Sequence, residues 1–373
     1  MAQKRVAIYM HTLYNGGVER VMFDLIRGFL DRGVAVALVL DLLIYSPFEK
    51  ILPKGVELVK LGAHSPLERI AKLRDYMQKT RPDAVLSATH FANETACIAR
   101  ALARVPMRLI LSEHTTLSSD IANSGRYSVR PLVIRWTTRR IYPMADAIVA
   151  VSNGVADDMC TVSGLAREKV ITIYNPVDAA RLFTSAAEPL EDPWFAPGAA
   201  PVVLAIGRLE TQKNFPNLLR AFAQVRAGRE AKLLILGEGS ERERLTAMVA
   251  SLGLHEDVAM PGFVANPAAY MARSAVFAMS SDWEGMPVAL MEALTLGTPV
   301  VSTDCPSGPA EILANGAYGE MVPMDDSAAL AGAIERVFAG ARKTIPEEAL
   351  VRFNADAIVE RYLGLMFPES AEV

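Results

Sequence analysis

The chain has 373 residues, 51% of them hydrophobic and 21% charged, with a formal net charge of −4. Such a length exceeds one average domain and suits two, each with its own core. The acidic balance and the lack of a recognition motif exclude nucleic acid as a partner. No apolar run reaches the ~18 residues that a membrane-crossing helix needs. The three cysteines, Cys97, Cys160 and Cys305, are odd in number and far apart. They lack metal-ligand spacing and predict a reduced, cytoplasmic protein without a disulfide framework.

Charge is unevenly spread. Residues 1–175 hold 23 Lys and Arg against 16 Asp and Glu, a net +7, and the remainder holds 15 against 26, a net −11. The asymmetry predicts a basic N-terminal half facing something anionic, although drift in surface composition gives the same count.

In chain order, Val6–Met10 reads as a first strand, and as an apolar run it is too short for a signal peptide. Val18, Val21, Met22, Leu25 and Phe29 follow at helical spacing. Val34–Leu40 is continuous and β-branched, as a strand buried on both faces should be. Asp83–Ser87, Arg108–Ser112, Ala147–Val151 and Val170–Ile173 continue the series, with helical segments between them. Residues 185–201, with four prolines, break the pattern and read as a linker or its margin. Alternation then restarts: strands at Val202–Ile206, Lys232–Leu236, Val258–Met260, Val276–Met279 and Pro299–Ser302, with helices at 214–227, 240–252 and 287–296. Residues 326–340 and 346–366 read as two terminal helices. The fold class is α/β: two doubly wound parallel sheets facing across a cleft. The expected domains are 1–180, 181–355 and a C-terminal helix, 356–373, crossing back to the first. Ligands in such sheets bind outside the carboxyl ends of the strands.

Several motifs sit at those ends. Gly16-Gly17-Val18-Glu19-Arg20 follows the first strand and opens a helix, a place where backbone amides favour phosphate; it also fits a plain tight turn. Gly207-Arg208 and Lys213-Asn214 follow the first strand of the second half. The guanidinium fork and the ammonium point charge are a combination that holds a diphosphate, and the same loop could be a solvated surface turn. Gly237-Glu238-Gly239 ends the next strand, and Gly262-Phe263-Val264 could offer groups to a base edge or be an ordinary turn. His114 closes a strand of the first half, where a histidine can orient a substrate or move a proton, or serve only the structure. Glu284 and Glu292 stand eight positions apart across Gly285-Met286-Pro287. Pro287 suits the first helical position, with Glu284 in the loop before it and Glu292 about two turns inside. Eight residues at helical rise span ~12 Å. A glutamate within such an apolar run needs a partner or a ligand unless it lies on the exposed face. No Asp-x-Asp, His-Glu-x-x-His, P-loop or nucleophile elbow is present.

Taken in this order, these segments resemble a family 4 retaining glycosyltransferase with the two-Rossmann, type B fold (GT-B). The resemblance runs nearly the full length and includes Val151-Ser152, Asn175-Pro176-Val177-Asp178 and Gly297-Thr298-Pro299-Val300-Val301. Cys305-Pro306-Ser307-Gly308-Pro309-Ala310-Glu311 is similar to the bacterial branch that builds lipid-linked oligosaccharides or surface polysaccharides. The resemblance implies that Arg208 and Lys213 neutralise a donor diphosphate, that Glu292 accepts from ribose hydroxyls, and that Glu284 and His114 contact the donor sugar. It implies that Gly16, Gly17 and the helix opened by Gly285, Met286 and Pro287 add amide dipoles, with Gly237, Phe263 and Val264 lining the donor site. It places Glu311 at the cleft, and makes 1–180 the acceptor-binding domain and 181–355 the nucleotide-sugar donor domain. The implied reaction moves a hexosyl or N-acetylhexosaminyl group from a nucleotide-sugar, by family frequency a UDP-sugar, to a polyprenyl-linked or other glycan acceptor. No metal or other cofactor is expected. A nucleotide-sugar-binding subunit without turnover and a sugar-nucleotide epimerase are the competing readings.

Arg126, Arg130, Arg135, Trp136, Arg139 and Arg140 mix cations with an aromatic, which suits an anionic lipid surface. The expectation is an acceptor-side face that holds the protein peripherally at the inner face of the cell membrane. An ordinary amphipathic helix is the alternative.

Overall fold

The computed structural model describes residues 3–14, 16–43, 46–122 and 130–368, with the side chains of Pro47, Asp120 and Arg130 left out. By contacts the chain forms two compact units: Met1–Tyr14, Val18–Pro176 and Phe353–Val373 in the first, and Asn15–Gly17 and Val177–Arg352 in the second. The divisions at 176/177 and 352/353 stand against the expected 180/181 and 355/356.

The first unit is a seven-stranded parallel sheet in the order β3-β2-β1-β4-β5-β6-β7. Its strands are β1 (Arg5–Met10), β2 (Ala35–Leu40), β3 (Glu57–Lys60), β4 (Ala84–Ala88), β5 (Arg108–Glu113), β6 (Ala147–Ala150) and β7 (Val170–Thr172). Between them run α1 (Gly17–Asp31), α2 (Pro66–Thr80), α3 (His90–Ala103), α4 (Leu117–Ala122), α5 (Arg130–Ile141) and α6 (Asn153–Ser163). The apolar runs of β1, β2, β4 and β5 are buried along almost their full length, as two covered faces require. β3 was not anticipated; it is a half-exposed edge of four residues, too short and polar to show as a buried run.

The second unit opens with α7 (Ala179–Ala187) and holds a six-stranded parallel sheet, order β10-β9-β8-β11-β12-β13. Its elements are β8 (Val202–Ile206), α8 (Phe215–Gly228), β9 (Lys232–Leu236), α9 (Arg242–Ser251), β10 (Val258–Gly262), α10 (Pro267–Met271), β11 (Val276–Met279), α11 (Val288–Thr295), β12 (Val300–Thr303), α12 (Pro309–Ile312), β13 (Glu320–Val322) and α13 (Ser327–Phe338). Its core joins Val203, Leu233 and Ile235 of the sheet to Phe222 of α8 and Leu330 and Ile334 of α13. Fully burying a side chain of this size is worth about 1.5–3 kcal/mol.

The expected single helix at 346–366 is two, α14 (Glu347–Val351) and α15 (Ala355–Met366). Asn354 caps the second by accepting from the Ala357 amide, and the break coincides with the return of the chain to the first unit. There α15 is tied down: Arg32 pairs with Asp356 and Glu360, and Arg108 Nε donates to the Leu365 carbonyl at 2.8 Å. Gly28 gives it room, since a Cβ there would sit 2.3 Å from Val359.

Candidate active site

In the second unit the predicted donor motifs, scattered over residues 207–308, converge on the carboxyl ends of β8 to β12. The loop after β8 carries Arg208 and Lys213. Gly207 is required because the Lys213 stem crosses it: an added Cβ would meet Lys213 Cε at 2.9 Å. The next loop is locked to this one by its backbone. Gly207 N donates to Leu236 O, Leu209 N to Glu238 O and Glu241 N to Leu209 O, all between 2.9 and 3.0 Å. Gly237, at φ +148°, lies so close that a Cβ would fall 1.9 Å from Gly207 O. A Cβ on Gly239 would fall 2.3 Å from Leu209 O. These glycines therefore serve close backbone approach. Gly237 N donates to Gly262 O at 2.9 Å, which fixes the end of β10 where half-buried Phe263 and Val264 follow.

Lys213 Nζ lies 2.5 Å from Glu284 Oε1, with both side chains largely buried. Glu284 is 5% exposed, and the same oxygen accepts from Ser281 Oγ at 2.7 Å. The side chains expected to serve two different parts of a donor thus first meet each other. A buried carboxylate needs such partners. Around them Ser280 Oγ donates to Lys213 O at 2.8 Å, Asn214 Nδ2 to Asp282 Oδ1 at 2.8 Å and Gln212 Nε2 to Trp283 O at 2.8 Å. Asn214 takes the left-handed conformation (φ +41°), which asparagine tolerates, and accepts from Asn217 N at the start of α8. Burial pushes the Asp282 carboxyl above its ordinary range. Arg208 is exposed and makes no side-chain hydrogen bond or ion pair among the described residues.

Ser281, Ser280, Gln212 and Asp282 were missed. Their signal was the pairing of β8 with β11, which brings the two loops together from 70 residues apart and which one sequence does not reveal; the Ser281 to Glu284 spacing of three was the one local hint.

Pro287 is the residue before α11, with extended ψ (109°), and does not hold the first helical position. Glu292 lies four residues past Val288, just over one turn inside the helix and not two, half-buried between buried Met291 and Ala293. Gly285, Met286 and Pro287 are all buried. The loop before α11 is braced by the segment after β12. Ser307 Oγ donates to Gly285 O at 3.0 Å, and a Cβ on Gly308 (φ +81°) would lie 2.7 Å from Pro287 Cδ. Glu311 stands in the first turn of α12.

In the first unit, His114 follows β5 and is 6% exposed. Its Nε2 lies 2.9 Å from Ser112 Oγ, which is 3.3 Å from the Tyr362 hydroxyl of α15. Burial lowers the His114 pKa from 6.5 to about 4, so the ring is neutral at pH 7. It can exchange hydrogen bonds there but is no proton donor. Gly16 precedes and Gly17 opens α1. Glu19 is buried in the first turn, and its Oε1 accepts from Tyr14 N at 2.7 Å, so the glutamate of this motif braces its own loop.

Of the basic cluster, Arg126 lies outside the described residues, as does the side chain of Arg130. Arg135, Arg139 and Arg140 are exposed on α5. Beside them stand Trp136, 63% exposed, and Leu132, 72% exposed, with Ile134, Thr137 and Thr138 facing inward. Among the described residues no helix is long and apolar enough to cross a membrane, and no group of three or more His, Cys, Asp or Glu is arranged to hold a metal ion.

Comparison with known proteins agrees with this architecture. A model described as Glycosyltransferase Family 4 matches residues 15–181, and one described as Glycosyl transferases group 1 matches residues 188–350. The chain is 29% identical over 343 residues, 87% of each protein, to an N-acetylgalactosamine-N,N'-diacetylbacillosaminyl-diphospho-undecaprenol 4-alpha-N-acetylgalactosaminyltransferase of Campylobacter jejuni. It is 28% identical over 375 residues to the lipopolysaccharide core biosynthesis glycosyltransferase LpsE of Rhizobium meliloti, covering 96% of this chain and 98% of that one. A solved glycosyltransferase from Rickettsia africae superimposes with a TM-score of 0.78 at 18% identity, over 99% of this chain and 100% of that one. Fold and matched domains define a glycosyltransferase of the GT-B class. Within it, with its two models lying end to end, the chain belongs to the family 4 glycosyltransferases.

Proposed function

We propose that this enzyme moves a hexosyl or N-acetylhexosaminyl group, with retention, from a nucleotide-sugar to a lipid-linked or glycan acceptor in bacterial lipopolysaccharide or polysaccharide assembly. The observation that carries the reading is the Lys213–Glu284–Ser281 cluster beside the exposed Arg208 at the carboxyl edge of the second sheet. The choice of a UDP-sugar follows the family's usual donor. The Campylobacter relative, named for a diphospho-undecaprenol-linked acceptor, and the Rhizobium relative, named for lipopolysaccharide core biosynthesis, support the acceptor class.

In this reading Arg208 and Lys213 face the diphosphate. As the sugar–phosphate bond breaks, negative charge grows on the leaving nucleotide, and fixed cations stabilise it more in the transition state than before it. Glu284 holds the Lys213 ammonium in place and offers its second carboxylate oxygen to the sugar, while Glu292 receives ribose hydroxyls. Amides of Gly16, Gly17 and the start of α11 add to the anion's field, although α11 is short. Gly237, Phe263 and Val264 border the nucleotide. His114, neutral, exchanges a hydrogen bond with the donor sugar. No metal or other cofactor enters the scheme.

The exposed face of α5 is the proposed contact with an anionic membrane: Arg135, Arg139 and Arg140 supply charge, and Leu132 and Trp136 supply apolar area.

The test is nucleotide release from a panel of UDP-, GDP- and ADP-sugars, with and without a lipid extract, for wild type and Glu284→Ala. The reading expects lipid-stimulated release from one donor that the variant loses. Tight donor binding without release would favour a binding subunit, and sugar isomerisation without release would favour an epimerase.

A further inference from the structure

Two hydroxyls hold the buried ring of His114, and no motif of the sequence singles out either. Ser112 lies two positions earlier, the strand period that returns a side chain to the same face. Tyr362 comes from α15, 250 positions along the chain. Ser112 is 0% exposed and Tyr362 1%. Glu113, between Ser112 and His114, accepts instead from the Tyr142 hydroxyl at 2.7 Å. The backbone under Ser112 is pinned, since its carbonyl accepts from Thr89 N and Asn93 Nδ2, both at 3.1 Å. The helix that carries Tyr362 is pinned as well: Arg361 Nη2 donates to Thr172 O at 2.7 Å, and Arg108 reaches Leu365 O.

The three groups have one consistent order of protons. Ser112 Oγ lies 2.9 Å from His114 Nε2 and 3.3 Å from the Tyr362 hydroxyl, its side-chain partners among the described residues. The contact to Tyr362 is long, and the phenol has no other hydrogen-bond partner among those residues. Burial pushes the Tyr362 phenol up to about 12 and brings His114 down to about 4. At pH 7 the phenol therefore keeps its proton and the imidazole carries one. If that one sat on Nε2 and pointed at Ser112, either the serine proton or the phenol proton would be sealed from water with no acceptor. Buried donors are rarely left so. With Tyr362 donating to Ser112, and Ser112 donating to Nε2, every proton in the chain is accepted. The imidazole proton then stands on Nδ1, which makes no hydrogen bond among the described residues.

We propose that Ser112 and Tyr362 are positioning residues that fix His114 as the Nδ1–H tautomer, so that the ring donates to a bound ligand and does not accept from it. The C-terminal helix thereby takes part in the site through Tyr362. Without the two hydroxyls the ring divides between tautomers, and ligand is bound only by the fraction protonated on Nδ1. The inference rests on the transferase reading above, in which the ligand of His114 is a donor sugar. It adds the direction of that hydrogen bond and the residues that set it.

The imidazole nitrogen spectrum of histidine-labelled protein tests the tautomer without any substrate. The His114 signals are identified by their loss in His114→Gln. Wild type at pH 7 is expected to show a protonated Nδ1 and a bare Nε2, and Ser112→Ala a mixture of both tautomers. A wild-type ring protonated on Nε2 overturns the inference and leaves the transferase reading in place. Since wild type alone can give that result, a variant that fails to fold does not spare the inference. In parallel, kcat/KM is measured for the donor that the release assay selects, with a thermal melt for each variant. Ser112→Ala is expected to lower it about tenfold and Tyr362→Phe about threefold, the scale of one lost hydrogen bond and of a weaker one. In a His114→Ala background neither substitution should lower it further, because both act through the ring. Losses that persist undiminished in that background overturn the positioning role. A protein that releases nucleotide from no donor overturns the transferase reading, and the spectrum still decides the tautomer.

Discussion

The carboxyl edges of the two sheets share a topology and differ in how they treat charge. In the second unit, Arg208 is exposed, and Lys213 and Glu284 meet at 2.5 Å in a largely buried pair. In the first unit, the comparable strand ends hold their carboxylates, Asp41 and Glu113, buried against tyrosine hydroxyls. Burial keeps His114 neutral, and burial also raises the phenols of Tyr9 and Tyr142 above their ordinary value. In the proposed reading, one edge stabilises a growing negative charge and the other exchanges hydrogen bonds. Differential stabilisation of developing charge belongs with the former, and orientation of hydroxyls with the latter.

The sharpest way to break that contrast is at Lys213. Lys213→Ala should lower turnover by more than about 100-fold, as removal of a transition-state charge stabiliser does. It also strands the Glu284 carboxylate, so the melting temperature should fall. In a Lys213→Met, Glu284→Gln double variant the melt should recover and the turnover should not. Near-normal turnover in Lys213→Ala would remove the diphosphate role.

His114 tests the other side. Its folded pKa of about 4 lies below the unfolded 6.5, so the folded state takes up its proton at lower pH than the unfolded state. The stability it contributes is complete above pH 6.5 and is lost as pH falls toward 4. Over that range the loss is about 3 kcal/mol, taking ~1.4 kcal/mol per pKa unit. His114→Gln should flatten this part of the pH–stability curve, measured by denaturant unfolding. An unchanged slope would show that the ring is not held neutral.

The α5 face should respond to charge alone. Arg139→Ala with Arg140→Ala should weaken flotation with anionic liposomes by about 2 kcal/mol, at ~1 kcal/mol per cation near the surface. Binding that is indifferent to anionic lipid would remove the membrane contact. The smallest change expected is at Ser281. Ser281→Ala deletes one hydrogen bond to Glu284 and should cost about 1 kcal/mol of transition-state stabilisation, read as a several-fold fall in kcat/KM.

How much was legible differs between the two edges in the same way. The loops proposed to hold the donor announce themselves because close backbone approach demands glycine: Gly237, Gly239 and Gly308 each stand where a Cβ would collide with backbone. Arg208, Lys213, Glu284 and Glu292 were readable at fixed distances from those glycines. The mutual pairing of Lys213 with Glu284 was not, because it depends on β8 lying beside β11. The entry to α11 was misplaced by one residue, since a proline fits the residue before a helix as well as its first position, and Glu292, four residues past Val288, lies just over one turn inside and not two. Around β1 the cluster of Tyr9, His11, Asp41 and Arg69 spans 60 residues of ordinary polar positions and carries no local motif.

By itself, the order of apolar runs and helical periods determined two parallel α/β sheets, because burial on both faces and right-handed crossovers leave few other arrangements. The punctuating glycines and charges marked the strand ends to which we assign the donor. Tertiary structure alone decided which charge meets which and which histidine loses its charge. The return of the last helix to the first unit was expected, and the structure supplied its ties: Arg32, Arg108 and the space left by Gly28. Strand order and burial set the partners and the local dielectric of each group, and neither is a property of neighbouring residues in the chain.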